Sequence, residues 1–248
     1  MVFWVTAFLD FAADDAERGL AFWRDVTGYA VSARRGEDDE FATLVPPDGD
    51  EFLKVQRRGE GSSRIHLDVH HHDPRAAADR AVERGAHEVF ASPHGYVVLT
   101  SPGGLTFCIV SHPGQRRPTP VVWPTGHHSM VYQVCLDLPT ATYEQELAFW
   151  TATLGARAEV LASRAEFSWL RPPRQFALDL LVQRLDDAHG PVRAHLDLGT
   201  PQRPAEVARH EGLGATALVT EEFWTVMADP GGLRYCITDR DPRTGRLA

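Results

Sequence analysis

Cysteine is scarce in this chain: Cys108, Cys135 and Cys236 are the only three in 248 residues. An odd and small number supplies no disulfide framework, so a reduced, intracellular setting is expected. No stretch approaches the roughly 18 consecutive apolar residues that a membrane-spanning helix needs. Basic residues are outnumbered, 25 against 34 acidic ones, for a formal net charge of −9. With no basic stripe to neutralise phosphates, nucleic-acid binding is excluded from the expectations. The start, residues 1–9, is apolar but has no basic segment before it and acidic residues after it. It is read as a first strand and not as a signal peptide, and a cytoplasmic location is expected.

What the chain does have is a full hydrophobic complement, 43%, with 24% charged residues, the balance of a folded globular protein. It also repeats itself. Phe22-Trp23 followed by Gly28 returns as Phe149-Trp150 followed by Gly155, an offset of 127 residues. Val55-Gln56-Arg57 returns as Val182-Gln183-Arg184 at the same offset. His66-Leu67-Asp68 returns as His195-Leu196-Asp197, and Pro102-Gly103-Gly104-Leu105 as Pro230-Gly231-Gly232-Leu233. Four ordered matches at nearly one period mark a tandem duplication. Between the copies, Pro113, Pro118, Pro120 and Pro124 predict an extended, stiff connector. The expected division is 1–112, a linker over 113–126, and 127–248.

Each copy reads as the same succession. A strand over 2–11 precedes a helix capped by Asp14 or Asp15, whose buried stripe is Leu20, Phe22, Trp23 and Val26 and which ends at Gly28. Strands follow near 29–35, 40–46 and 51–57. The pattern then restarts with a strand over 63–70, a helix over 74–84 opened by Asp73-Pro74, and strands near 87–91, 95–101 and 105–111. The second copy gives strand 130–138, helix 143–154, strands near 157–162, 165–171 and 177–184, strand 192–199, helix 203–211, and strands near 215–219, 223–228 and 232–238. The chain is thus four βαβββ modules, an α+β protein.

Paired βαβββ modules, a Phe-Trp helix running into glycine, an internal His-Leu-Asp strand and a terminal Pro-Gly-Gly strand resemble the vicinal oxygen chelate superfamily: glyoxalases, bleomycin-resistance proteins and extradiol dioxygenases. The branch most resembled is the glyoxalase-like domain in tandem. The resemblance implies two domains, each of two modules curled into a half-barrel, with any ligand in the concavity. It also implies metal ligands, where a metal is used, on the first, fourth, fifth and eighth strands. Those places fall on Phe8 or Thr6, Leu53 or Val55, Arg64 with His66, and Cys108 in the first copy. In the second they fall on Cys135 or Gln133, Leu180 or Val182, Arg193 with His195, and Cys236. The usual last-strand carboxylate is missing, so no conventional metal centre is expected.

Strand alternation puts Arg64, His66 and Asp68 on one face, and likewise Arg193, His195 and Asp197. His66 with Asp68, and His195 with Asp197, are the candidate catalytic pairs, each a general base beside a carboxylate. The same motif also reads as structural, the histidine bonded to backbone and the aspartate tying down the turn. Arg64, Arg193, Trp169 and Trp224 are candidate ligand-binding residues. Cys135, His195 and Cys236 form an alternative zinc set, against the plainer reading of buried small hydrophobes. His70-His71-His72 are expected as solvated turn residues and His94 in a hairpin turn, Trp23 and Trp150 in the core, and Trp4 and Trp123 packed between the two copies.

The expected function is binding of a small, partly aromatic molecule in a half-barrel without a conventional metal centre and with no cofactor. One alternative is a lyase, isomerase or dioxygenase acting on vicinal oxygens with a divalent metal. Another is a structural or interaction scaffold. Whether the protein is an enzyme stays open between these readings. The expected partner is a small molecule, with no nucleic acid and no membrane, and the chain is either a monomer or a homodimer.

Overall fold

The computed structural model describes residues 1–247. The first repeat contributes β1 (Val2–Phe11), α1 (Ala16–Thr27), β2 (Ala30–Val31), β3 (Phe41–Val45), β4 (Leu53–Arg57), β5 (Arg64–His71), α2 (Pro74–Glu83), β6 (His87–Ala91), β7 (Val97–Thr100) and β8 (Thr106–Val110). A short β9 (Val121–Val122) lies in the connector. The second repeat contributes β10 (His128–Leu138), α3 (Tyr143–Leu154), β11 (Arg157–Val160), β12 (Phe167–Arg171), β13 (Asp179–Arg184), β14 (Arg193–Gly199), α4 (Arg203–Gly212), β15 (Thr216–Thr220), β16 (Trp224–Ala228) and β17 (Arg234–Thr238). The order of elements is the one read from the sequence. Gly28 and Gly155 close α1 and α3 in the left-handed region, at φ 67° and 62°, where a side chain would be strained.

One difference lies at the start of α1. Asp15 occupies the cap position but makes no capping hydrogen bond with its side chain. A single 3-10 turn, Ala13–Asp15, leads in, and Asp15 pairs with Arg18 one turn on. Backbone closure, Asp15 N–H to the Ala12 carbonyl, replaces the side-chain cap.

Two mixed sheets result, one per repeat. Their strand orders are β2-β3-β4-β1-β5-β8-β7-β6 and β11-β12-β13-β10-β14-β17-β16-β15, with β9 added to β10. The two orders are the same pattern written twice. The parallel pairing of β5 with β8, and of β14 with β17, records the helical crossover in each of those modules.

By backbone contacts the chain forms two compact units. One comprises Met1–Ala7, His66–Gln115 and Val134–Ala194, and the other Phe8–Ile65, Arg116–Gln133 and His195–Ala248. Each unit therefore combines one module of the first repeat with one of the second.

The Phe-Trp motif explains this pairing. In the second unit, Phe22 and Trp23 of α1 are buried against Tyr235 of β17, with Trp23 and Tyr235 rings 5.2 Å apart and near-perpendicular. In the first unit, Phe149 and Trp150 of α3 meet Phe107 of β8, again at 5.2 Å for the tryptophan. Each buried indole N–H also needs an acceptor. Trp23 donates to Asp229 Oδ2 at 2.6 Å, and Asp229 Oδ1 accepts the Leu233 N–H at 2.8 Å, closing the Pro-Gly-Gly turn. Trp150 donates to Glu146 Oε2 at 2.8 Å, and Glu146 Oε1 accepts the Gly103 N–H of the other Pro-Gly-Gly turn.

The carboxylate has changed sides between the units. At the repeat offset, Glu146 corresponds to Gly19 and Asp229 to Ser101. Ser101 Oγ accepts the Leu105 N–H at 3.1 Å, the hydrogen bond that Asp229 accepts from Leu233. Where the helix carries glycine, the Phe11 ring fills the space: a Cβ on Gly19 would sit 2.5 Å from it. Each pairing has one acid, carried by the helix in the first unit and by the turn in the second.

A second buried polar cluster ties α4 to the connector and to the end of α1 within the second unit. Glu206 Oε1 accepts from Ser129 at 2.6 Å, Arg209 at 2.7 Å and His210 at 3.0 Å, while Oε2 accepts from His127 at 2.7 Å. His210 Nδ1 accepts from the Tyr235 hydroxyl at 2.8 Å, which leaves Nε2–H to donate and fits a neutral ring. Burial drives the Glu206 pKa up, but the hydrogen bonds from Arg209 and His210 and the Arg209 charge outweigh it and hold the carboxylate well below its ordinary range. Arg209 also donates to the Asp25 and Val26 carbonyls at 3.2 and 2.8 Å and lies 3.6 Å over the Trp123 ring. Trp123 is half-buried here, and in the first unit Trp4 is fully buried against Gly114.

Two stability tests follow from these clusters. Glu206→Ala leaves Arg209 uncompensated and strands the donors of His127 and Ser129, so urea denaturation should show a loss of about 3–5 kcal/mol; a loss below about 1 kcal/mol would refute the role assigned to the cluster. Burial raises Asp229 to a pKa of about 6, against the opposing hydrogen bonds from Trp23 and the turn. A folded pKa above the unfolded value means the group's favourable contribution is complete below about pH 4 and is lost as pH rises through 6. The stability of the wild type relative to Asp229→Asn should accordingly fall by about 2–3 kcal/mol between pH 4 and pH 7, and an unchanged difference would be the contrary result.

Candidate functional site

On every strand, alternation sends one set of side chains toward the helices and the other to the opposite, helix-free face. Parallel pairing of β5 with β8 sets Asp68 opposite Cys108, and pairing of β14 with β17 sets Asp197 opposite Cys236. The result is two equivalent clusters. In the first unit, ligand atoms of His66, Asp68 and Cys108 lie within 4.8 Å of one another. In the second unit, the same is true of His195, Asp197 and Cys236. His66 Nε2 is 3.8 Å from Asp68 Oδ1, and His195 Nε2 is 3.4 Å from Asp197 Oδ1.

The clusters differ in what stands beside them. In the second unit Gln133 of β10 donates from its amide nitrogen to Asp197 Oδ2. Its amide oxygen is buried and, among the described residues, has no hydrogen-bond partner. Thr6 holds the matching position in the first repeat, and its hydroxyl is bonded to His70 Nε2 at 2.9 Å. The second cluster thus has one more oxygen donor, and its histidine is the more open, with 16% of the side chain exposed against 7% for His66.

The remaining candidates are placed as follows. Arg64 pairs with the buried Asp10 at 3.2 Å and keeps its guanidinium partly in solvent. Arg193 is exposed. Trp169 packs with Cys135 and Leu181 in a small apolar cluster, and the Arg171 guanidinium lies 4.2 Å over its ring. Trp224 is half-buried on β16, opposite Thr238. Of the alternative zinc set, His195 and Cys236 are brought together, with Asp197 between them in sequence and chemistry.

Two expectations are corrected. His70 and His71 are not solvated turn residues: β5 runs through both, and they are 2% and 8% exposed. Their rings are buried because each is satisfied, His70 by Thr6 and the His112 carbonyl and His71 by the Asp73 carbonyl. His72 is exposed, as expected, and His94 lies in the turn between β6 and β7. The fourth-strand places are also shifted. Leu53 and Val55 point to the helix side and are buried, so the helix-free face receives Lys54 and Gln56. The Leu-Lys-Val-Gln alternation carried that signal, since the apolar pair belongs against the helix.

Comparison with known proteins places this arrangement. The model of the glyoxalase-like domain matches residues 6–110 and again 133–238. The chain belongs to the glyoxalase-like domain family and carries the domain twice. No curated protein matches it. Among solved structures it is similar to an Mn(II)-bound glyoxalase from Novosphingobium aromaticivorans, with 19% identity, a TM-score of 0.66, and coverage of 96% of this chain and 82% of that one. It is similar also to 2,2',3-trihydroxybiphenyl 1,2-dioxygenase from Sphingomonas wittichii, with 17% identity, a TM-score of 0.63, and coverage of 96% and 90%. Homoprotocatechuate 2,3-dioxygenase from Arthrobacter globiformis shares 14% identity at a TM-score of 0.61, covering 96% and 79%. At these identities the likeness is one of fold, that of the vicinal oxygen chelate superfamily. Among the described residues no helix is long and apolar enough to cross a membrane.

Proposed function

We propose that the second repeat binds a small molecule bearing adjacent oxygen atoms, at the helix-free face that carries His195, Asp197 and Cys236, and that a divalent metal takes part. The supporting observation is the donor set. An imidazole, a carboxylate and a thiol lie within mutual reach, next to a buried amide oxygen that has no hydrogen-bond partner among the described residues. Ligands about 2.1 Å from a tetrahedral ion stand about 3.4 Å apart, the separation of His195 Nε2 and Asp197 Oδ1. Nitrogen, oxygen and sulfur donors together suit zinc or iron better than magnesium or calcium. Solved structures of the same fold include a glyoxalase with Mn(II) and extradiol dioxygenases, which favours a metal-using reading over a metal-free one.

A divalent ion at these donors would act as a Lewis acid toward the adjacent oxygens. The chain's own residues have separable parts. Gln133 orients Asp197 through its amide N–H, and Asp197 in turn faces His195. His195 is the member that reaches solvent and is the residue to meet a ligand. Trp224, of the same compact unit, is the proposed flanking contact. Metal-free binding through His195 and Asp197 is the second reading. It is supported by the first repeat, which keeps His66 and Asp68 without the extra amide donor.

Elemental analysis of untagged protein decides between the readings. Near-stoichiometric zinc, iron or manganese is expected in the wild type and in His66→Ala, with clear loss in His195→Ala and Cys236→Ser. Protein that takes up none of these ions after incubation overturns the metal reading and leaves the His195–Asp197 pair as a binding couple.

A further inference from the structure

The two strand orders end on the edges β2, β6, β11 and β15. An edge strand presents unpaired N–H and C=O groups, and proteins blunt such edges by shortening or bulging them. Three of these are blunted. β6 and β15 carry a bulge at the same place, where the register with the neighbouring strand skips Val89 in one and Leu218 in the other. β2 is only two residues long. The exception is β11. It pairs with β12 over all four of its residues without a shift in register, and Arg157, Ala158, Glu159 and Val160 are all exposed.

The ladder fixes which backbone groups of β11 face outward. The Leu161 N–H donates to the carbonyl of Phe167, its opposite number in the β11–β12 register, at 2.9 Å. Successive residues of an antiparallel strand direct their N–H and C=O groups to alternate sides. Arg157, Glu159 and Leu161 therefore turn theirs toward β12, and Ala158 and Val160 turn theirs outward. The Ala156 carbonyl, in one planar peptide group with the Arg157 N–H, also points outward. The Ala156 N–H is already engaged by the Thr151 carbonyl at 2.9 Å. The side chains alternate too, so Arg157 and Glu159 share a face. On that face Arg157 stands opposite Arg171, a like charge across its own ladder, while Arg171 leans to Glu159 at 3.6 Å.

We infer that β11 is the docking edge for a second copy of this chain, paired antiparallel with its own counterpart about a two-fold axis at Ala158. In that register Ala158 and the partner's Ala158 exchange two N–H···O=C bonds, and each Val160 N–H donates to the partner's Ala156 carbonyl. Every outward backbone group is used. Arg157 then stands opposite the partner's Glu159 on one face, and Glu159 opposite the partner's Arg157. Sliding the partner by one pleat either way keeps the backbone in phase, but sets arginine against arginine or glutamate against glutamate. Charge complementarity and backbone phase therefore select the same register. The pairing is isologous and consumes the edge, so it closes as a dimer and does not propagate. It shares no residue with the His195 cluster and stands or falls independently of it.

Sedimentation equilibrium tests the pairing. The wild type should shift from the 27.5 kDa monomer to twice that mass between about 1 and 300 μM, the behaviour of a small, transient interface. Ala158→Pro removes an outward N–H and no bond to β12, so it should leave the melting curve intact and abolish the dimer. Arg157→Glu and Glu159→Arg, each alone, put like charges opposite one another and should weaken dimerisation about tenfold or more. Equimolar mixing of these two variants makes both cross-pairs complementary and should restore the dimer as a heterodimer. The double variant Arg157→Glu/Glu159→Arg should restore it as a homodimer. A wild type that stays monomeric over this range, a dimer that persists in Ala158→Pro, or a mixture that associates no better than its components would overturn the inference.

Discussion

A tryptophan N–H sealed inside a core must find an acceptor, and that requirement organises this protein. Leaving one unpaired costs on the order of 1–3 kcal/mol. Each repeat meets the need by seating its Phe-Trp helix against a Pro-Gly-Gly turn of the other repeat, with one carboxylate bonded both to the indole and to the turn backbone. The same carboxylate positions the last strand of the module, because the turn it holds leads directly into β8 or β17. Those strands carry Cys108 and Cys236. Core satisfaction and placement of the candidate donors are therefore one constraint.

Duplication then leaves room for divergence. With two copies of the framework, the acid can move from turn to helix, as the exchange of Asp229 and Ser101 against Gly19 and Glu146 shows, without loss of the lock. The helix-free faces, which take no part in the lock, are freer still. His-Leu-Asp is kept in both. The first strand offers Gln133 in one repeat and a threonine already engaged by His70 in the other. The β3–β4 and β12–β13 ladders differ by a lysine against a leucine and a threonine against a tryptophan. One ladder position thus carries an apolar pair in one repeat and a hydroxyl opposite an ammonium in the other.

The local grammar was readable in the chain. Period-2 alternation, glycine after the Phe-Trp helix and Asp-Pro before α2 located nearly every element, since those signals act over a few residues. Alternation likewise put His66 with Asp68 and His195 with Asp197 on common faces. The misreadings share a cause: they needed partners distant in sequence. His70 and His71 look solvated until Thr6 and the His112 carbonyl are seen to satisfy His70 and β5 is seen to continue through both. Leu53 and Val55 look like site positions until the helix that covers them is in place.

By itself, then, the sequence determined the four-module plan, the duplication and the His-Asp pairs, because periodicity, turn chemistry and repetition are properties of neighbouring or regularly spaced residues. Only the tertiary structure decided which module packs with which, that Cys108 and Cys236 stand opposite Asp68 and Asp197, that Gln133 completes the second cluster, and that Lys54 lies beside Phe8. Those are contacts across tens to hundreds of residues. They are selected by whether buried indoles, carboxylates and imidazoles find partners, a test that is met only in three dimensions.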